Sequence, residues 1–412
     1  MNHQFLFLQG VNSPFFADLA EALKKQGHGV LRLNFTVGDK VFWRRNGNAH
    51  SCTLPADQMT AFVAEFYRTH TVTDVVLFGD ERPVHQAAIQ IAKQLGVRVH
   101  VFEEGYFRPY WFTLERGGVN ANSALPKDPL WYQEWGPLVP NYRNGLSFRS
   151  SFYMRAWFDV AYHFCSLANR WQFPQYQYHA PHTAWQEYWP YLAKQIKQSI
   201  VRRQAQDSKT IGRFLAQDKA FYLLPLQLDS DAQIRCHSPF ENMYQVMDTV
   251  LASFAQHAPS DTVLVIKNHP LDMGLVNHEK NASALAQHYD LADRVVFLQT
   301  GAMPTLLGQA TGVVTVNSTV GASALYHALP TKVLGEAIYD IAGLSYDGAL
   351  DQFWCDSQRP NMNLFHHFRN VVIHATQLNG GFYTSAGMRM AVQQAVPALL
   401  APQSFIEMNY VP

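Results

Sequence analysis

Short apolar runs alternate with longer stretches in which apolar residues recur every three or four positions along the first 105 residues. The short runs predict buried strands, and the periodic stretches predict amphipathic helices. In chain order they predict strand 5–8, helix 15–26, strand 30–35, helix 59–70, strand 74–78, helix 84–95 and strand 97–102. Because each strand leads into a helix and ends in polar or glycine residues, this half of the chain predicts a doubly wound parallel sheet.

The rhythm breaks at residues 130–200, which are crowded with tryptophan and tyrosine, and it restarts near residue 220. The aromatic segment predicts helices joined by proline-bearing loops and a polar, basic linker at 194–209. Beyond it, the pattern predicts strands 220–226, 263–266, 295–298, 312–316 and 331–334 and helices 243–257, 303–308 and 320–329. The prediction is an α/β protein of GT-B architecture, with two Rossmann-like lobes facing a cleft. The pattern fits periplasmic-type binding proteins and sugar-nucleotide epimerases as well.

The predicted boundaries place an N-terminal acceptor lobe at 1–210, with the aromatic helical insertion at about 130–200. A C-terminal nucleotide-donor lobe follows at 211–380, and a helical segment at 381–412 returns to the first lobe. A length of 412 residues suits two domains, and 48% hydrophobic with 16% charged residues indicates a folded chain.

Charge and cysteine usage exclude some functions. Basic and acidic residues balance at 32 each, which argues against a nucleic-acid binder. The four cysteines form no CxxC pair, so we expect reduced thiols and no zinc site. The N-terminal apolar run is too short for a signal peptide, and no stretch reaches the length of a membrane span. We therefore expect a cytoplasmic protein that touches, at most, a membrane surface.

Ligands of parallel sheets bind beyond the carboxyl ends of the strands, so the residues that follow each strand carry the candidate chemistry. Lys267, Asn268, His269 and Pro270 follow one strand. The lysine and histidine side chains, fixed by the proline, offer two donors to a phosphate. The alternative is a histidine that caps the next element. No glycine-rich Walker or dinucleotide fingerprint occurs, so no redox cofactor is predicted.

A second candidate phosphate site lies where a strand of the second lobe leads into a helix. Asn317, Ser318 or Thr319 can cap this helix, whose N-terminus attracts anions, and Gly321 lets the backbone approach a ligand. An ordinary helix cap is the compatible alternative. Gln227 and Ser230 follow another strand, where Asp229-Ser230-Asp231 imitates a metal-binding DxD motif. We expect no metal there, because nothing else supplies a coordination shell, and a polar turn is the competing interpretation.

Candidate catalytic residues end a strand of the first lobe. Glu103 or Glu104 could serve as nucleophile or general base, and strand alternation allows only one of them to reach the substrate. Arg108 is placed to neutralise an anionic substrate, and a solvated acidic turn is the alternative. Further residues are predicted to form acceptor-side loops of the cleft: Gly10, Asn12, Ser13, Asp80, Arg82 and His85.

Several segments together resemble the capsular polysaccharide Kdo transferases of the KpsS/LipB type. The resemblance rests on residues 103–109, 267–270, 316–321 and 334–340, with support from 8–16, 78–85 and 379–383. It implies a GT-B fold, CMP-Kdo as donor and no cofactor. It further implies transfer of β-linked Kdo, with retention, to phosphatidylglycerol or its lyso form at the cytoplasmic face of the inner membrane. The product would start the poly-Kdo linker of a capsule, and other capsule synthesis and export proteins are implied partners.

The resemblance also implies residue roles. Glu104 matches the catalytic carboxylate, although members of this family usually have aspartate there, and His269 with Pro270 matches the pair that contacts the CMP phosphate. With CMP-Kdo as donor, Glu336 could bind the ribose hydroxyls, with a helix-capping acid as the alternative, and Arg108 could neutralise the Kdo carboxylate. Two other functions stay open: a non-catalytic glycolipid-binding component of capsule export and a UDP-sugar epimerase. The aromatic segment could meet lipid together with Arg143, Arg149, Arg155 and Arg170, or simply pack in a core.

Overall fold

A computed structural model of the 412-residue chain describes residues 2–44, 46–176, 206–209, 211–212, 219–229, 231–272 and 274–410. The chain divides into two compact units. The first comprises Met1–Pro126, Pro137–His179 and Arg369–Pro412, and the second comprises Lys127–Gly136 and Ala180–Phe368. The sequence-based boundaries were 210 and 380. Ser230, residues 177–200 of the aromatic segment and most of the predicted linker lie outside the described residues.

Each unit contains one sheet. In chain order, the strands are β1 Gln4–Phe7, β2 Gly29–Asn34, β3 Ala49–Ser51, β4 Asp74–Phe78, β5 Arg98–Glu104, β6 Trp111–Arg116, β7 Phe221–Pro225, β8 Val263–Lys267, β9 Val295–Leu298, β10 Gly312–Thr315, β11 Thr331–Val333 and β12 Gln377–Asn379. The first sheet has the order β12-β6-β5-β4-β1-β2-β3, and the second has the order β11-β10-β7-β8-β9. All pairings are parallel except those of β6 with β5 and with β12.

Helices connect the strands in both units. Those of the first unit are Phe15–Lys25, Val37–Trp43, Ala56–Thr69, Pro83–Leu95, Phe152–Ser166, Asn169–Gln172, Ser385–Leu400 and Phe405–Asn409. Those of the second unit are Pro129–Trp135, Ala232–Cys236, Met243–His257, His278–His288, Met303–Leu307, Thr319–Tyr326 and Leu350–Asp356. Met362–Thr376 runs from the second unit into the first, and short 3-10 helices occupy Asn120–Asn122 and Gly136–Leu138. None of the helices of the described residues combines the length and apolar character that crossing a bilayer requires.

Apolar side chains cover both faces of each sheet, as parallel strands require. In the first unit, Phe7 and Phe102 pack with helices Phe15–Lys25 and Ser385–Leu400 on one face, whereas Leu77 and Val101 pack on the other. The second sheet likewise has one core around Leu224 and another on its opposite face. The chain thus has the two Rossmann-like α/β units of the predicted fold class.

Candidate functional site

The first unit gathers its polar residues where its strand order reverses. β1 and β4 are neighbours, and the chain winds outward from them to β2 on one side and to β5 on the other. Gln9 and Gly10 follow β1, Gly79 and Asp80 follow β4, and Glu104 ends β5. Such a switch point opens a crevice at the carboxyl ends of the strands, where doubly wound folds bind ligands.

Glu104 lies in a cluster that the sequence did not predict. Its carboxylate is 3.4 Å from a guanidinium nitrogen of Arg155, on helix Phe152–Ser166, and its side chain stays 26% exposed. The Tyr383 hydroxyl lies 3.5 Å from Oε1 of Glu104, and the Arg155 guanidinium sits 5.0 Å from the centre of the Tyr383 ring. Burial raises the pKa of Tyr383, so its hydroxyl stays protonated and donates. The cluster therefore holds an accessible carboxylate in a fixed direction.

Glu103 has different surroundings. Its Oε1 accepts the backbone N–H of Glu104 at 2.8 Å, and its other oxygen lies close to Gly79, where a Cβ would come within 3.4 Å. Burial raises the pKa of Glu103 to about 7; the Glu104 carboxylate acts in the same direction, and the Arg82 guanidinium acts against it. Glu103 thus faces the β4 loop, whereas Glu104 faces Arg155 and Tyr383.

The turn after the acidic pair depends on glycine. A side chain at Gly105 would collide with the carbonyl oxygen of Trp111 on β6. Arg108, three residues later, is exposed, and its Nε lies 3.4 Å from the carbonyl oxygen of Gly105. Arg155 is therefore the arginine paired with Glu104, and Arg108 stands at the rim of the same turn.

A buried polar network fixes helix Phe152–Ser166 to the sheet. The Tyr162 hydroxyl lies 3.2 Å from Asp39, 2.8 Å from Thr36 Oγ1 and 3.0 Å from the side-chain nitrogen of Gln9. Asp39 also pairs with the buried Arg32 at 3.0 Å. Since Arg155 lies two turns before Tyr162 on this helix, the network sets the position of Arg155 beside Glu104.

The loops predicted to line the acceptor side divide into two groups. Gly10 and Asn12 are bonded near the cluster: Arg82 donates to the Gly10 carbonyl oxygen at 3.0 Å, and Asn12 donates to Asp159 at 2.8 Å. Arg82 also donates to Oε1 of Gln9 at 3.1 Å.

Ser13, Asp80 and His85, also predicted for these loops, are buried, because each is at most 4% exposed. Ser13 accepts the N–H of Phe15, Asp80 accepts the N–H of Val119, and Nδ1 of His85 lies 2.7 Å from the Gly79 carbonyl oxygen. These three residues shape the loops from inside.

The second unit has its own switch point between β7 and β10. The side-chain amides of Gln227 and Asn317 meet there: Gln227 donates to Oδ1 of Asn317 at 3.0 Å and accepts the Asn317 N–H at 3.2 Å. Asn317 also donates to the carbonyl oxygens of Gln233 and His237. Gln227 and Asn317, both predicted to bind the sugar donor, are therefore held in place by hydrogen bonds at the switch point.

The segment after β8 is held by internal hydrogen bonds. Lys267 is 4% exposed and donates to the carbonyl oxygens of Asn268 and Gln299, and burial lowers its pKa. Asn268 donates to Asp272 at 2.9 Å and to the Gln299 side chain at 3.0 Å. Lys267 and Asn268 thus support the turn, and their role in binding the donor stays a prediction.

His269 is more accessible than Lys267 and Asn268. Its Nδ1 accepts the N–H of Leu271 at 3.2 Å, so a neutral ring carries its proton on Nε2. This is the tautomer that can donate to a phosphate oxygen. Pro270 follows it as an exposed residue.

The helix after β10 is capped by one of the predicted residues. The close neighbour of Gly321 in the structure is a side chain of the protein. Ser318 accepts the N–H of Val320 at 3.2 Å as N-cap, and Thr319 is exposed. A side chain at Gly321 would overlap the Tyr339 phenol, whose hydroxyl donates to the Ser318 carbonyl oxygen at 2.5 Å. The ring of Tyr339 therefore occupies the space beside Gly321.

Glu336 and the DxD-like turn, both predicted on the donor side, make contacts that show their place in the fold. Glu336 is exposed, and its N–H donates to the His237 carbonyl oxygen at 2.8 Å. In the DxD-like turn, Asp229 accepts the N–H of Met243 and Asp231 caps helix Ala232–Cys236. No three His, Cys, Asp or Glu side chains gather as a metal site within the described ranges.

Arg155 and Tyr383 are the functional candidates that the sequence left unassigned. Arg155 was predicted only as an interfacial cation, and Tyr383 belonged to the resembling segment 379–383 without a role. Both lie far from Glu104 along the chain, so no local spacing joins them. The one signal was the phenylalanine-tyrosine pair after Gly380-Gly381.

Known capsule polysaccharide proteins are similar to this chain over most of its length. The sequence profile of the family described as "Capsule polysaccharide biosynthesis protein" matches residues 73–383. The chain is 36% identical over 385 residues to the capsule polysaccharide export protein KpsS of Escherichia coli, covering 92% of this chain and 97% of that protein. It is 34% identical over 387 residues to the capsule polysaccharide modification protein LipB of Neisseria meningitidis serogroup B, covering 92% and 91%.

Among solved structures, the β-Kdo 2,7 transferase KpsC of Thermosulfurimonas dismutans aligns over 96% of this chain and 99% of its own, with 12% identity and a TM-score of 0.44. The resemblance to the KpsS/LipB type is confirmed by the two sequence relatives. The chain belongs to the capsule polysaccharide biosynthesis protein family.

Proposed function

We propose that this protein is a retaining β-Kdo glycosyltransferase that moves Kdo from CMP-Kdo to a phosphatidylglycerol-type lipid and so starts the linker of a capsular polysaccharide. The observation that carries the proposal is the Glu104 cluster: an accessible carboxylate at the carboxyl end of β5, held by Arg155 and Tyr383. Family membership supports the role in capsule synthesis, and the resemblance to the Kdo transferases of the KpsS/LipB type supports the choice of sugar.

Glu104 has the chemistry of a glycosyl nucleophile. In the first step its carboxylate attacks the anomeric carbon of Kdo, and the bond to the CMP phosphate breaks with its electrons leaving on the phosphate oxygen. In the second step the lipid hydroxyl attacks the same carbon, releases its proton to solvent, and displaces Glu104. Two displacements leave the configuration retained.

Arg155 and Tyr383 act by orientation. A glutamate side chain has one more rotatable bond than the aspartate usual in this family, and two partners remove that freedom. Arg108, exposed at the rim of the turn, is the proposed partner of the Kdo carboxylate, since a guanidinium binds carboxylates with two parallel hydrogen bonds.

The second unit supplies the donor side of the proposal. His269 donates from Nε2 to the single phosphate of CMP, and the N-terminus of helix Thr319–Tyr326 adds its partial positive charge. Glu336 is exposed and takes the ribose hydroxyls. A monophosphate leaving group carries less charge than a diphosphate, so we propose transfer without a metal or other cofactor.

The test is mass spectrometry of the product formed from CMP-Kdo and phosphatidylglycerol. We expect one added Kdo per lipid, and Glu104→Gln should lower the rate by at least about a thousandfold, as loss of a catalytic nucleophile does. Glu407→Gln is the matched control, because Glu407 also pairs with an arginine, Arg116, at 2.9 Å in the same unit.

The outcomes separate the alternatives. Full activity of Glu104→Gln would rule out its role. Binding of CMP without turnover on any lipid would favour a glycolipid-binding export component, in line with the name of the Escherichia coli relative. Conversion of a UDP-sugar without acceptor would favour an epimerase.

The site of action is part of the proposal. A lipid acceptor requires attachment of the enzyme to a membrane surface, and we propose the cytoplasmic face of the inner membrane, where other capsule synthesis and export proteins would use the product. Fractionation of cells that express the protein tests this: a soluble pool that stays soluble at low salt would contradict it.

A further inference from the structure

Helix Phe152–Ser166 carries a row of exposed apolar residues, here called the apolar face: Tyr153, Trp157, Val160, Phe164 and, just after the helix, Leu167. These side chains are between 45% and 84% exposed. Their spacings of four, three, four and three positions keep them within a stripe about 80° wide on an α-helix. Large apolar side chains aligned in this way on a surface mark a binding face, whereas scattered ones do not.

The opposite face of the same helix is bound to the sheet of the first unit. Arg155 pairs with Glu104, Asp159 accepts from Asn12, and Tyr162 joins the buried network of Asp39. The helix therefore cannot turn the apolar face inward without breaking the contacts that position Arg155. Within the part of the chain that the structure describes, the face therefore stays exposed.

The charge around the apolar face is positive. Residues 138–176 contain four arginines and one carboxylate, Asp159. Arg155 and Asp159 both lie on the bound side of the helix, which leaves three arginines and no carboxylate in this stretch. Arg149 and Arg170 are exposed at the two ends of the face, and Arg170 stacks on Trp171, which is 69% exposed. Leu146, beyond Arg149, is also exposed. Apolar and aromatic side chains flanked by arginines match the boundary between lipid headgroups and acyl chains.

We propose that the apolar face docks on the surface of an anionic lipid bilayer. The helix has 15 residues and spans only about 22 Å, which is too short to cross a bilayer, so it lies along the interface. A second copy of the chain is the less suitable occupant, because a two-fold pairing would bring Arg149 and Arg170 of both copies together. An anionic surface meets the same arginines with opposite charge.

Docking of the apolar face on a membrane adds to the proposed function. Only its biological purpose, the presentation of a lipid acceptor, rests on that function. The same helix that would lie in the headgroup layer carries Arg155 on its other side, one helix diameter away, beside Glu104. A lipid acceptor would then reach the carboxylate without leaving the membrane. The attachment itself requires no donor and no turnover.

The test measures sedimentation of the full-length protein with vesicles of phosphatidylcholine alone or mixed with phosphatidylglycerol. We expect binding to the mixed vesicles, and we expect Trp157→Ser with Phe164→Ser to weaken it by at least about tenfold, since two aromatic side chains leave the interface. Tyr326→Ser, which removes an aromatic residue of similar exposure in the second unit, should leave binding unchanged. Arg149→Gln with Arg170→Gln should remove the preference for phosphatidylglycerol.

Two further measurements make the result decisive. The double serine variant should retain the unfolding midpoint of the native chain and its rate of CMP-Kdo turnover on a short-chain, micelle-free acceptor. No binding by the native chain, or equal binding by the double serine variant, overturns the proposal. A native dimer that becomes monomeric in that variant overturns it in favour of self-association. If vesicles bind but no Kdo is transferred, the proposed function fails and the docking surface stands.

Discussion

The ion pair between Arg32 and Asp39 offers the sharpest test of how the site is supported. Its two charges are 3.0 Å apart, and the side chains are only 4% and 2% exposed. Asp39→Asn removes the negative charge but keeps an oxygen that can accept the N–H groups of Phe35 and Thr36, as Asp39 does now at 3.0 Å each. The substitution therefore leaves the Arg32 charge buried without a counter-charge, and it places an amide nitrogen where Oδ1 now faces Arg32 and Tyr162.

The structure gives the magnitude. At this separation, the attraction is about 5–6 kcal/mol for an effective dielectric constant of 20. Burial lowers the pKa of Arg32, but the guanidinium stays charged at neutral pH, so its desolvation is no longer offset in the variant. Breaking such a buried pair by removing one partner costs about 3–5 kcal/mol. We expect Asp39→Asn to lower the free energy of unfolding of the first unit by that amount.

The control is an exposed pair in the same unit. Arg44 and Asp18 are 2.9 Å apart with side chains 56% and 38% exposed, and we expect Asp18→Asn to cost less than about 1 kcal/mol. Both variants are compared in urea titrations followed by hydrogen exchange at the amides of β1 and β2, which report on the first unit alone. Equal losses in the two variants would refute the reasoning, because burial would then have no effect at equal distance.

Other consequences concern single residues of the two units. Gly321→Ala should destabilise the second unit by about 1–3 kcal/mol in urea titrations, because its methyl group overlaps Tyr339, whereas Gly308→Ala, with no atom closer than 3.4 Å, should not; equal effects would contradict the packing. The raised pKa of Glu103, about 7, makes its ionisation unfavourable in the folded state, so its contribution to stability is present below the unfolded pKa and is lost as pH rises towards 8. Glu103→Gln should flatten this part of the profile of unfolding free energy against pH, and an unchanged profile would refute the assignment. Arg155→Lys should retain more Kdo transfer than Arg155→Met, which we expect to lose at least about a hundredfold, and equal losses would exclude a role for the charge.

Most elements of the two sheets follow from the sequence within one or two residues. Strand 74–78 and helix 243–257 were predicted with the observed bounds, and β5 extends two residues beyond the prediction, through Glu104. These elements have a strong period or a compact apolar run, and local periodicity determines them. β3, β6 and β12 were missed. They are short strands of three to six residues that lie at or next to an edge of the first sheet. The pairing of β12 with β6 joins positions more than 260 residues apart in the chain.

The same division holds for the candidate site. The sequence by itself determined that Glu104 and His269 stand just where strands end, because chain order fixes which residues follow a strand. Only the tertiary structure decided that Arg155 and Tyr383 meet Glu104, since contacts between distant segments depend on how helices pack and leave no local period. It also decided that Lys267 supports a turn and that Tyr339 fills the space over Gly321. Hydrogen-bond partners and burial, which assign such roles, exist only once the chain is folded.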